Sequence, residues 1–327
     1  IFRYGIPDLL PPQARMIHGP GCPVCVLPVG RLDMAIDLAM SADVILCTYG
    51  DMLRVPASRR RSLLSAKAKG ADIRMVASTM EALELARANP ERQIVFFAIG
   101  FETTTPPTAA ALKRAEAEAL GNFSVFCNHV LTPAAITRIL EAPELHEMDA
   151  VEIDGFLGPA HVSVVIGSQP FERFAEAFAK PVVIAGFEPL DVMQSILMLV
   201  RQINAGRSEV ENQYTRAVAR FGNETAKTLM AEVFETGPSF EWRGLGDVPR
   251  SALRIRERFA PWDAERRFGM AQGRPPENKA CECPKVLRGA AVPTDCKLFG
   301  RQCTPQTPIG SCMVSDEGAC AAYYKYG

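Results

Sequence analysis

Short apolar runs recur from Asp43 to Ala185, each closed by turn residues and set off from the next by a stretch of helical periodicity. Residues 43–48 (DVILCT), 73–77 and 93–99 (QIVFFAI) read as strands, with helices expected over 32–40, 62–69, 80–88 and 107–120. A short strand over 15–18 is expected ahead of them. Strands bounded by turns and alternating with helices predict βαβ units and a parallel sheet. The pattern restarts after Gly121, with strands over 123–130, 150–153 and 181–185. Helices are expected there over 133–141, 172–179 and 189–205, with a connector helix over 213–235. Two α/β lobes of similar size follow, residues 1–121 and 122–236.

From Gly237 the texture changes. Prolines break the chain, and six of its ten cysteines fall between Cys281 and Cys320. So few periodic apolar residues give residues 237–327 little to fold around, and metal ligation is the expected staple. The fold class expected is therefore α/β, two parallel-sheet lobes plus an irregular, partly helical cysteine-rich domain.

Bulk properties exclude some functions. The formal net charge of -1 gives no electrostatic case for nucleic acid or an anionic membrane. No apolar run reaches the roughly 18–20 residues that span a bilayer. The chain opens on Ile1 with no pattern of a signal or transit peptide, and its natural start is expected upstream. A cytoplasmic location is the default, where cysteines serve as metal ligands or redox thiols more often than as structural disulfides.

Thiolates ligate both iron–sulfur clusters and structural zinc. Among Cys281, Cys283, Cys296, Cys303, Cys312 and Cys320 no pair has the two-residue spacing of a zinc knuckle. The spacing leans toward a cluster, leaves zinc open, and does not choose between Cys281 and Cys283. Near the other end, Cys22-Pro23-Val24-Cys25 sits in a Gly/Pro turn, and such a pair can close a redox-active disulfide or bind metal. A turn that carries two cysteines by chance is the bland alternative. Cys47 and Cys127 lie inside apolar runs and read as small buried hydrophobes.

Polar strings gather where strands end: Tyr49-Gly50-Asp51, Gly100 to Pro106 (GFETTTP), Asn128-His129, Asp154 to His161 (DGFLGPAH) and Gly186-Phe187-Glu188-Pro189. In an α/β fold the carboxyl ends of strands build the site. The threonines of GFETTTP are also explained as helix caps, and no Gly-Lys-Ser/Thr makes that loop a nucleotide site.

These strings, with His18 to Cys25 (HGPGCPVC), Arg54-Val55-Pro56, Asp191 and the tail CTPQTPIGSCMVSDEGACAAYYKYG from Cys303, resemble the HypD family of nickel–iron hydrogenase maturation proteins over essentially the whole chain. The resemblance assigns a 4Fe-4S cluster to Cys281, Cys296, Cys303 and Cys320, which match the family's separations of 14, 6 and 16 residues, and leaves Cys283 and Cys312 over. It assigns the redox pair to Cys22 and Cys25. It implies a scaffold shared with HypC, on which an iron becomes the Fe(CN)2CO unit with cyanide from HypE, before delivery to the hydrogenase large subunit. The family's Cys-Gly-Thr-His-Thr motif does not occur in this sequence, which truncation would explain. His18, Glu102, Thr103, His129, Asp154, His161 and Glu188 are the candidates to line an assembly cleft. Two rival readings are a cluster-dependent thiol-disulfide oxidoreductase and a non-catalytic scaffold with a structural metal site. Whether the chain is a turnover enzyme stays open; a redox-active scaffold is the expectation.

Overall fold

A computed structural model describes residues 1–41, 43–141, 152–271 and 273–327. Helix α1 (Pro23–Val26) and helix α2 (Val29–Ala39) precede strand β1 (Val44–Thr48). Then come α3 (Leu63–Ala68), β2 (Ile73–Met75), α4 (Thr79–Ala88), β3 (Gln93–Gly100), α5 (Thr105–Ala117) and β4 (Phe123–His129). The four strands form one parallel sheet in the order β2-β1-β3-β4. Its central strands are nearly continuous apolar runs because helices cover both faces. Strand alternation divides them. Ile45, Cys47, Phe96 and Val125 pack on α4 and α5, while Leu46, Val95, Phe97 and Phe126 face α1 and α2. Local chemistry sets the helix starts. Ser62 and Ser65 exchange side-chain and backbone bonds at α3, and Ser78 accepts from the Glu81 amide at α4.

A second parallel sheet follows α6 (Thr132–Glu141): β5 (Phe156–Pro159), α7 (Ala160–Ile166), α8 (Glu172–Phe178), β6 (Val182–Ala185), α9 (Pro189–Asn204) and β7 (Val210–Asn212), in the strand order β5-β6-β7. Here the structure departs from the sequence reading. The strand expected to open the second lobe is β4, and it pairs with β3 in the first sheet. The strand expected over 150–153 falls partly outside the described residues, and the DGFLGPAH string itself supplies β5. The connector expected over 213–235 is helical only in α10 (Glu224–Val233), capped by Asn223. Gly222 stops it short. Its φ is +68°, and a Cβ there would strike the backbone of Val165 and Gly167. Residues 15–18 form no strand.

The last part carries two small antiparallel pairs, β8 (Phe234–Thr236) with β11 (Leu253–Ile255) and β9 (Ser239–Trp242) with β10 (Gly246–Pro249). Short helices α11 (Ala264–Arg267), α12 (Cys283–Leu287) and α13 (Ala319–Tyr326) complete it. This segment does not rely on staples alone. Trp242, Leu287, Met313 and Val314 are buried in the same core as Leu46, Phe97 and Phe126. Arg31 on α2 ties it to the sheet, donating to Asn128 Oδ1 at 2.6 Å and the Cys127 carbonyl at 2.7 Å and pairing with Glu265 at 2.6 Å. No described helix is long and apolar enough to cross a membrane.

Candidate functional site

The strand order reverses between β1 and β3, which leaves a crevice at their carboxyl ends. A cleft of about 650 Å³ opens there. Tyr49, Gly50 and Asp51 after β1 line it, with Ile99, Phe101, Thr103 and Thr104 from the end of β3 and the loop after it. Across from them stand His161 and residues 315–317. Pro23 and Val24, the two residues between the cysteines, form part of its wall.

Cys22 caps α1, its Sγ accepting from the Cys25 amide at 3.2 Å, and Pro23 takes the first turn, where an N–H would lack a partner. This turn brings the Cα atoms of Cys22 and Cys25 to 5.2 Å, and the two form a disulfide. Both are buried, Cys25 completely.

The GFETTTP loop divides its labour. Gly100 has φ +148°, and a Cβ there would overlap the Thr104 side chain. Thr104 and Thr105 donate to the Phe101 carbonyl, so these hydroxyls shape the turn. Thr103 makes no hydrogen bond to the described residues and lines the cleft. His161 also lines it, its ring stacked on Phe187 with centroids 5.8 Å apart.

The other candidates lie elsewhere. Glu102 is 2% exposed and receives the Thr132 amide on Oε1 and the Thr132 hydroxyl on Oε2, each at 2.9 Å, which anchors the start of α6. Adjacent side chains diverge, so Thr103 reaches the cleft and Glu102 the interior. His129 is buried with Nε2 2.9 Å from Thr108 Oγ1, and burial lowers it to about 4. His18 packs against the rings of Phe2 and Tyr323, which also touch each other. Asp154 is exposed, and Glu188 stands at the start of α9 within 4.0 Å of Arg216.

Burial raises the Glu102 carboxyl from 4.5 to about 7, against the Thr132 bonds that favour the anion. Between those values the folded chain holds a proton that the unfolded chain has lost, so stability falls as pH rises through this window, by about 3 kcal/mol. Glu102→Gln keeps one acceptor and one donor for Thr132 and removes the titration. Urea denaturation at pH 5 and pH 8 should therefore favour the variant increasingly at the higher pH. Parallel profiles for the two proteins would contradict this burial.

Cys281, Cys283, Cys303, Cys312 and Cys320 share a core with the Cys22–Cys25 disulfide. The thiols of Cys281, Cys283, Cys312 and Cys320 lie close enough to perturb one another. These neighbours, ahead of burial, raise the Cys281 and Cys312 thiols and lower Cys320. Cys303 Sγ accepts from the Ile309 amide at 3.3 Å. Cys296 is buried, with Sγ 3.9 Å from the Ala280 carbonyl. Gly310 gives the sulfurs room, since a Cβ there would overlap Cys283 and Cys281. Among the described residues no three His, Cys, Asp or Glu side chains converge on one metal ion. Ser311 Oγ donates to the Cys25 carbonyl at 3.0 Å and so fixes its neighbour Cys312 beside α1. Cys47 and Cys127 are buried in the sheet, where burial pushes both thiols up to about 12.

Sequence reading missed the contribution of Ser315, Asp316 and Glu317 to the cleft. Their signal was their place between Cys312 and Cys320, in a loop that the cysteines tie down. It also passed over Arg59-Arg60-Arg61, a basic run in a near-neutral chain.

The family model described as the hydrogenase formation hypA family, HypD, matches residues 1–327. The hydrogenase maturation factor HypD of Cupriavidus necator is 64% identical over 327 residues, covering 100% of this chain and 86% of its own length. That of Rhizobium leguminosarum bv. viciae is 65% identical with 100% and 85% coverage. The Escherichia coli K12 protein is 47% identical with 100% and 86% coverage. A full-length family match and these identities make the chain a member of the HypD family.

Proposed function

We propose that the chain is a redox-active scaffold in nickel–iron hydrogenase maturation, sharing with HypC the assembly of an Fe(CN)2CO unit whose cyanide comes from HypE. The relatives' names supply the maturation context, and the roles of HypC and HypE rest on the family resemblance. The observation that carries the redox reading is one juxtaposition. Pro23 and Val24 of the Cys22–Cys25 disulfide turn wall the cleft, and the disulfide shares one core with Cys283, Cys303, Cys312 and Cys320, to which the Ser311 bond to Cys25 ties it.

The donor set suits an iron–sulfur cluster: soft thiols, mostly buried, with the Ile309 amide directed at Cys303 Sγ. Cys281, Cys296, Cys303 and Cys320 would hold it, and it would supply electrons one at a time. Cys283 and Cys312 then remain as a pair of neighbouring thiols in the core that also holds the disulfide.

Thiol–disulfide exchange joins the two pairs. Cys312 attacks one sulfur of the Cys22–Cys25 disulfide, and its proton passes to the sulfur that leaves. Cys283 attacks Cys312 in the mixed disulfide and releases the second thiol. The Cys22–Cys25 bond has gained two electrons and two protons, and a Cys283–Cys312 disulfide has formed. Two single electrons from an external carrier and two protons then return Cys283 and Cys312 to the dithiol, leaving Cys22 and Cys25 reduced. In the cleft, the Thr103 hydroxyl and His161 imidazole are donors suited to cyanide nitrogens, and Val24, Ile99 and Phe101 supply an apolar wall. Buried free thiols suit a reducing, cytoplasmic compartment.

Cys312→Ser tests the relay, with Cys283→Ser as the second variant. After anaerobic reduction, rapid alkylation and mass spectrometry should find Cys22–Cys25 still oxidised in both, with iron and sulfide content unchanged. Reduction of that disulfide at the parental rate would refute the relay.

A further inference from the structure

A second, larger cleft of about 840 Å³ opens at the tail sulfurs. It shares no lining residue with the assembly cleft, and Cys281 and Cys283 line it. The two clefts are therefore separate, one walled by Pro23 and Val24 of the disulfide turn and one reaching the tail sulfurs at Cys281 and Cys283.

Charge sets this second opening apart. Arg54, Arg59, Arg60, Arg61, Arg243 and Arg301 line it. Two of them are neutralised within the chain, Arg61 by Asp33 and Asp37 and Arg243 by Glu277. Arg54 donates to the Pro305 carbonyl and keeps its charge. Arg59, Arg60 and Arg301 are exposed and pair with no carboxylate among the described residues. The rim is thus cationic in a chain whose net charge is -1. The loop that presents it is also strained. Arg59 and Arg60 sit consecutively at φ 55° and 59°, where glycine would be unstrained.

We propose that this arginine-lined cleft is the docking site for an acidic one-electron carrier protein of the ferredoxin or flavodoxin class. The inference rests on the relay reading above. That relay consumes two electrons per disulfide and needs them singly, from outside the chain. An open cleft fringed by long, unpaired arginines meets an acidic surface by charge complementarity. Its basic residues are confined to one rim, unlike the extended stripe that tracks a nucleic-acid backbone.

The test uses the full chain with its cluster loaded, iron and sulfide being counted first. The variant is Arg59→Gly/Arg60→Gly/Arg301→Ala; glycine removes charge and relaxes the left-handed residues together. Stopped-flow reduction by reduced plant-type ferredoxin should be fast for the parent at low ionic strength and slow with added salt. In the variant it should be at least ~10-fold slower and nearly salt-independent. Reduced methyl viologen, a small cation, should reduce both proteins equally. Oxidised ferredoxin should also bind the variant ~10-fold more weakly by fluorescence anisotropy, a readout that needs no electron flow. Parental rate and salt dependence in the variant would overturn the proposal, as would binding of RNA or inorganic polyphosphate, but not ferredoxin, by the parent. If ferredoxin binds as expected and reduces the cluster while Cys22–Cys25 stays oxidised, the relay reading fails and the docking site stands.

Discussion

Replacing Cys22 or Cys25 by alanine is expected to reduce hydrogenase maturation to background, a loss of ~100-fold or more, because no other thiol pair can complete the two-electron exchange at the cleft. The loss should be selective. Both cysteines belong to the apolar core, and an alanine leaves only a small space there. Iron and sulfide content should stay at the parental level, since neither residue is among the tail sulfurs. Hydrogenase activity in cells carrying each variant, read beside metal content of the purified protein, checks both halves. Retained activity would remove the disulfide from the function. Joint loss of activity and metal would make the pair structural.

The second large effect concerns Arg31. Its guanidinium is 4% exposed, bonded to Asn128, Cys127 and Glu265, and stacked over the Phe126 ring at 4.3 Å. It thereby joins α2, β4 and α11. Arg31→Ala removes the cation and strands buried acceptors, which should cost about 3 kcal/mol in urea denaturation. Arg31→Lys should recover little, because an ammonium cannot make the forked contacts or stack on the ring. A loss below about 0.5 kcal/mol would place this cation among the weak surface pairs instead. The tail thiols depend on this junction, since the core that buries them is the one Arg31 closes. The alanine variant should therefore also lose metal on mild heating before the parent does.

The first sheet was readable in the sequence for a physical reason. Strands such as Val44–Thr48 and Gln93–Gly100 are buried on both faces, so their apolar runs are continuous. The strand Phe156–Pro159 was not readable, because it ends in Gly158-Pro159 and sits at the edge of a three-stranded sheet. The restart after Gly121 suggested a new lobe, yet Phe123–His129 adds to the first sheet; periodicity reports that a strand exists and not which sheet receives it. At the site, the CxxC pair was plain from its spacing. Local sequence put Glu102 and Thr103 side by side without saying which faces inward. The carboxylate that looked chemical caps a helix, and its plain neighbour lines the cleft. Cys283 and Cys312 were left over in sequence spacing but are linked through space, because α12 and the turn at Ser311 bring together residues 29 positions apart.

The measurement that tests the account most directly is the iron, zinc and acid-labile sulfide content of anaerobically purified protein, with its visible spectrum. The account predicts about four irons and about four sulfides per chain with broad charge-transfer absorption, lost when Cys303 or Cys320 is replaced by alanine. Zinc without sulfide would contradict it, leaving the tail a structural domain and the disulfide without its electron source.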